Sequence, residues 1–415
     1  MSLIDVIDLQ SAQLHDEARR AMEVCNACRY CEGFCAVFPA MELRRDFTNG
    51  DLDYLANLCH NCQGCFHSCQ YAPPHPFGIN VPKALAELRY QTYRDYAWPP
   101  SMARVFDRNG TLVCLLAALS VAVLVTCIVL LRDPGILFQP QTGPGAFYRI
   151  MPWGLLSALA GASFVYSLVA LGMGFRNFWR ASERPTSDLT RPRPLMQALH
   201  DVFTLKYLGG NGRGCNDLSD NFTMLRRRLH HAMFYGFLLC FASTSVATLY
   251  DHFWNWPAPY PLLSAPVLLG LVGGLGLIVG CSGLIWVKVQ TDPAPSARAL
   301  LGADYALLTL LLLSSVTGLV LLTLRETSAM GLLLAVHFGF TTDGHLRFEH
   351  RPNRCESCTQ TFPPTDDGKR TATIAGAGQR NRCYLQRGAG RTVQRHAAQP
   401  GVCRPHEATA GLPAF

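Results

Sequence analysis

The chain has 415 residues, of which 49% are hydrophobic and only 16% charged, with a formal net charge of +7. Average soluble domains carry about 25% charged residues, so this composition excludes a water-soluble globule over the whole length. No nucleic-acid partner is expected, because the basic residues collect between apolar runs.

The chain begins with MSLIDVIDLQSAQLHDEARRAME, which has no apolar core and does not read as a secretory signal. Residues 1–100 are polar and rich in Cys, Tyr and Pro, and are expected to form one domain. Eight of the 17 cysteines lie between Cys25 and Cys69. A domain that stays in the cytoplasm seldom keeps disulfides, which leaves metal ligation. The first set is Cys25, Cys28, Cys31 and Cys35, and the second is Cys59, Cys62, Cys65 and Cys69. Both read C-x2-C-x2-C-x3-C, the bacterial two-cluster ferredoxin run, in which the fourth cysteine serves the other cluster. One [4Fe–4S] cluster is therefore assigned to Cys25, Cys28, Cys31 and Cys69. A second is assigned to Cys59, Cys62, Cys65 and Cys35. Structural zinc sites use separated C-x2-C pairs, so zinc fits this repeat less well. Ala36 and Gln70 stand where the ferredoxin run has proline. His60 and His67 could tune or ligate a cluster, and read more simply as surface residues beside one.

From residue 101 the composition changes. Uncharged runs cover 111–131, 153–175, 231–250, 265–286 and 305–324, each near the roughly 20 residues needed to span a bilayer. A sixth begins at Met330 and stops near Phe340. A mostly α-helical transmembrane bundle of about six spans is expected over 101–340, following the helical two-cluster domain. The segment between the second and third runs is strongly basic, from Arg176 to Arg228, whereas the one between the third and fourth has no Lys or Arg. The positive-inside rule then puts the basic segment and the N-terminal domain on the cytoplasmic side. Cys114, Cys127, Cys240 and Cys281 read as small apolar residues within spans. Cys215, in the basic segment, has no evident partner.

Ionisable residues at membrane depth point to function. His230, His231, His252 and His337 are such residues, and facing imidazoles can hold a b-type haem. His231 and His252 are about 30 Å apart along one helix and cannot share it. His252 with His337 is the expected pair on the outer side. An aromatic belt with Tyr250, Trp254 and Trp256 is the alternative reading for His252, and a quinone site is a further one.

The stretches CNACRYCEGFCAVFPAME, LCHNCQGCFHSCQYAPPHPFGINVP and RLHHAMFYGFLLCFASTSVATLYDHF resemble the tricarballylate-utilisation protein B (CitB-type) family over roughly residues 15–340. The resemblance implies a multi-pass protein of the bacterial inner membrane. It implies that such a protein reoxidises the FAD of a tricarballylate dehydrogenase-like partner and passes electrons to the quinone pool. It also implies haem, with His231, His252 and His337 as the candidates. Other readings are an iron–sulfur subunit of a heterodisulfide-reductase-like or succinate/fumarate-type complex, and a redox-sensing membrane protein. Residues 341–415 depart from the family pattern and read as a disordered or frameshifted tail, with a lone C-x2-C at Cys355 and Cys358.

Overall fold

The computed structural model describes residues 3–100, 109–182, 191–212, 214–218 and 221–348. The expectations for the tail beyond residue 348, including Cys355 and Cys358, lie outside the described residues. The described chain is helical throughout, as expected, with no strand beyond an isolated antiparallel bridge between Cys215 and Thr223.

The N-terminal domain is built from α1 (Leu3–Cys28), α2 (Val37–Glu42), α3 (Asn49–Leu58), α4 (Gly64–His67) and α5 (Val81–Tyr96). Local sequence sets the helix starts. Thr48 and Asp51 form a reciprocal capping box at α3, which satisfies two orphan N–H groups at once. Asn80 caps α5 by accepting the Lys83 N–H at 3.2 Å. Helices α1, α3 and α5 pack around Ala18, Met22, Leu52, Leu55, Leu85 and Leu88, all buried. Each large apolar side chain removed from water contributes roughly 1.5–3 kcal/mol.

A polar trio crosses this core, with His15 and Asp53 buried and Tyr96 half-buried. His15 Nε2 lies 2.9 Å from Asp53 Oδ1, and the Tyr96 hydroxyl donates to Asp53 Oδ2 at 2.5 Å. The bond to Asp53 holds the His15 pKa above its ordinary value, against the opposing effect of burial. A raised folded-state pKa stabilises below the unfolded value near 6.5 and loses that contribution as pH rises through the folded value. The N-terminal domain is therefore expected to melt at a lower temperature at pH 8.5 than at pH 6, with a smaller difference in His15→Gln. Asp53→Ala should destabilise it by roughly 3 kcal/mol, the scale for breaking a buried pair. Thermal melts across that pH range measure both.

The remaining helices are α6 (Asn109–Leu131), α7 (Ala146–Ile150), α8 (Trp153–Ala181), α9 (Pro192–Phe203), α10 (Leu225–Trp254), α11 (Ala265–Gln290), α12 (Arg298–Leu324) and α13 (Met330–Phe348). Four stretches are long and apolar enough to cross a membrane: Trp153–Ala181, Leu225–Trp254, Ala265–Gln290 and Leu301–Leu324. Leu115–Leu131 and Met330–Thr341 are shorter apolar stretches. Helix α13 continues past Phe340 although its apolar pattern ends, because no proline interrupts it.

Helices α10 and α11 make the closest seam. A Cβ on Gly280 would lie 2.5 Å from the Met233 nitrogen, and one on Gly236 would lie 2.7 Å from the Leu277 nitrogen. Small residues at the seam let the two backbones approach this closely. Helix α8 runs beyond its apolar part, through Arg176 and Arg180, to reach the N-terminal domain. There the Asn177 amide donates to the Tyr96 carbonyl at 3.3 Å, and the Tyr96 and Phe178 rings meet edge-on at 5.6 Å.

Candidate metal centres

Helix α1 ends where the first cysteine set begins. Arg29, at φ 53°, turns the chain out of the helix while its N–H still reaches the Cys25 carbonyl at 2.8 Å. The second set runs over a loop curled by two left-handed residues, Asn61 (φ 55°) and Gln63 (φ 62°). Arginines hold the carbonyls of this loop. Arg226, from the first turn of α10, donates to the Asn61 carbonyl at 2.8 Å, and buried Arg89 donates to that of Cys59.

The eight cysteines surround two cavities. Cys25, Cys28, Cys31 and Cys69 line one, beside Tyr30, Gln70, Tyr71 and Ile79. Cys35, Cys59, Cys62 and Cys65 line the other, beside His60, Val81 and Pro82. The buried ring of Phe38 borders both. None of the eight is in a disulfide.

The two surroundings differ. The first cavity lies near the surface, with Tyr30 62% exposed. The second faces the long apolar helices. Arg226 ties it to α10, while the Gln63 amide reaches Asp292 and Ser296 in the α11–α12 connection at 3.5 Å each.

Burial pushes the Cys25 thiol up to about 12, with Cys69 and Cys28 adding to the effect. It raises Cys31, Cys35 and Cys65 as well, each with help from neighbouring thiols. Cys62 goes the other way, held low by a hydrogen bond from Cys215, which is itself raised. Thiols crowded in this way do not ionise together unless cations join them, and soft thiolates suit iron–sulfur chemistry. The donor sets thus fit two four-thiolate centres.

The histidines separate. His231 Nε2 meets the Thr204 carbonyl at 3.1 Å, with its ring stacked on Tyr235. His230 Nδ1 meets the Arg226 carbonyl within α10. His252 is exposed and lies against Trp153 of α8, its Nδ1 at the Thr248 carbonyl. His337 lies in a niche of α12, with Nδ1 3.1 Å from the Ser314 carbonyl and its Cε1 in space that only glycine at 318 leaves free. The contacts of His252 and His337 go to different helices.

Sequence reasoning left Cys215 without a partner and favoured a surface position for His60. Cys215 is 1% exposed and His60 3%, and both pack behind Cys62. The one sequence signal is the turn Asn211-Gly-Arg-Gly214 just before Cys215.

Comparison with known proteins closes the question of kinship. A family profile described as citrate utilization protein B matches residues 104–346, and one for the Fer4-like domain of that protein matches residues 18–96. The chain belongs to the citrate utilization protein B family. It is 46% identical over 366 residues to Escherichia coli citrate utilization protein B, covering 87% of this chain and 95% of the relative. No solved structure matches it. The family match supports citrate utilization protein B in general and does not single out tricarballylate. The two cavities fall within the Fer4-like match, which supports iron–sulfur clusters, and the four long apolar helices fall within the other.

Proposed function

We propose that this chain is the membrane electron-transfer component of a citrate- or tricarballylate-type utilisation system. It would accept electrons from the reduced FAD of a partner dehydrogenase and deliver them to quinone. The observation that carries the reading is the partition of eight cysteines, none in a disulfide, between two adjoining cavities in a Fer4-like domain. Cys25, Cys28, Cys31 and Cys69 would hold one [4Fe–4S] cluster, and Cys35, Cys59, Cys62 and Cys65 the other. Such clusters supply one-electron chemistry between a two-electron flavin and a membrane acceptor.

The chain's own residues orient the route. The first cavity opens beside exposed Tyr30, on the side available to a flavoprotein, whereas Arg226 and Gln63 turn the second toward the helices. The basic segment ending at Arg226–Arg228 meets the N-terminal domain, so both share one side. Positive-inside bias makes that side cytoplasmic, in a bacterial inner membrane.

Haem b is the second proposed carrier, with His337 as one ligand. Donation from Nδ1 to the Ser314 carbonyl leaves Nε2 free, the form in which metal-bound histidine is usually fixed. His231 is turned to Thr204 and Tyr235 and His252 to Trp153, so no second ligand is assigned.

The test is EPR and optical spectroscopy of anaerobically purified protein, oxidised and then reduced. Interacting [4Fe–4S] signals on reduction, with a low-spin ferric haem signal on oxidation, are expected. Clusters without haem would leave quinone to be reduced from the second cluster directly. Intact protein without iron would overturn the reading.

A further inference from the structure

The corner behind Cys62 holds two side chains that the iron–sulfur reading leaves unused. Cys215 sits on the bridge to Thr223, with N–H to carbonyl distances of 2.8 and 2.9 Å. Only glycine can precede it: Gly214 has φ +105°, and a Cβ there would lie 2.1 Å from the Thr223 carbonyl oxygen. The next N–H, of Asn216, donates to the Cys62 carbonyl at 3.0 Å. These bonds fix the Cys215 sulfur so that it, the Cys62 sulfur and a ring nitrogen of His60 all lie within 4.8 Å of one another. Neither ring nitrogen of His60 makes a hydrogen bond of normal length. A buried polar group left in that state is costly, so an acceptor beside it would be stabilising.

Three such side chains invite a separate zinc ion. Structural zinc takes four ligands, and Cys62 is one of the four thiols on the second cavity.

We propose instead that Cys215 and His60 are hydrogen-bond donors to the Cys62 sulfur once it ligates the second cluster, making that cluster easier to reduce than the first. The proposal rests on the two-cluster reading above. Donors to a ligating sulfur favour the more negative, reduced state. The Leu208 carbonyl lies 3.6 Å from the Cys215 sulfur and competes for its proton, but an anionic sulfur is the stronger acceptor. On the first cavity the nearest equivalent is the exposed Gln70 amide, 3.8 Å from the Cys28 sulfur. The more easily reduced centre is then the one that faces the membrane helices, so electrons run downhill toward them.

The experiment is a potentiometric titration followed by EPR, on full-length detergent-purified protein, comparing wild type with Cys215→Ala, Cys215→Ser and His60→Leu. In Cys215→Ala one cluster should become at least tenfold harder to reduce, a drop of about 59 mV for one electron. The other should be unmoved and the iron content unchanged. Cys215→Ser keeps a donor and should shift less than half as far, and His60→Leu should move the same signal. Wild-type potentials in both Cys215→Ala and His60→Leu would overturn the proposal. Loss of a whole cluster with about half the iron in Cys215→Ala would also overturn it, because Cys215 would then be a ligand. Wild-type protein without clusters would overturn the two-cluster reading itself, and the proposal with it.

Discussion

Cys69→Ala is expected to remove the same EPR signal as Cys25→Ala, not the signal lost in Cys59→Ala. In the chain Cys69 ends the second set, four residues after Cys65. In space it lines the first cavity, with Cys25, Cys28 and Cys31. Losing one of four thiolates should cost that cluster, taking iron from about eight atoms per chain to about four. On the proposed route, which runs through both centres in series, turnover between flavoprotein and quinone should be largely lost. Cys35→Ala is the mirror experiment and should match Cys59→Ala. If Cys69→Ala instead removed the signal lost with Cys59, the fourth thiolates would not be exchanged between sets.

Gly280→Leu is the second large expected effect, and it acts through packing. Its Cβ would stand 2.5 Å from a backbone nitrogen of α10, and backbone cannot step aside as a side-chain tip can. Overpacking typically costs about 1–3 kcal/mol, and a forced separation of two helices falls at or above that range. The variant should lose thermal stability in detergent and deliver electrons to quinone more than about tenfold more slowly, while retaining its iron. Gly172→Leu is the control, because a Cβ there meets nothing within 4 Å. Equal melting temperatures for Gly280→Leu and wild type would show that the seam is not tight.

Much of the architecture is legible in the sequence because two strong periodic signals carry it. Long uncharged runs place the apolar helices, and the spacing of the cysteines groups them as the two cavities do. Helix ends are less legible. The run at 153–175 stops at Arg176 by hydropathy, but arginine is a good helix former, and α8 continues to Ala181 and the N-terminal domain. Likewise α10 begins at Leu225, six residues before the apolar run, and ends at left-handed Asn255. The hardest features to read are contacts between distant parts of the chain. Cys215 lies 153 residues from Cys62, and no spacing rule joins them. The histidines illustrate the same difficulty. Their depth along each helix can be estimated from rise per residue, but the helix each ring faces cannot.

The attachment of the N-terminal domain to several membrane helices has a kinetic consequence. Asn177 of α8, Arg226 of α10 and the Gln63 contacts with the α11–α12 connection fasten it at three separate points. A redox domain on a single flexible stalk works as a shuttle, swinging between donor and acceptor, and its rate is set by the swing. A domain riveted at three points has no such stroke. On the proposed route its throughput would be governed by fixed spacing and driving force, as in a wire of constant length, and the moving part would be the flavoprotein that docks and leaves.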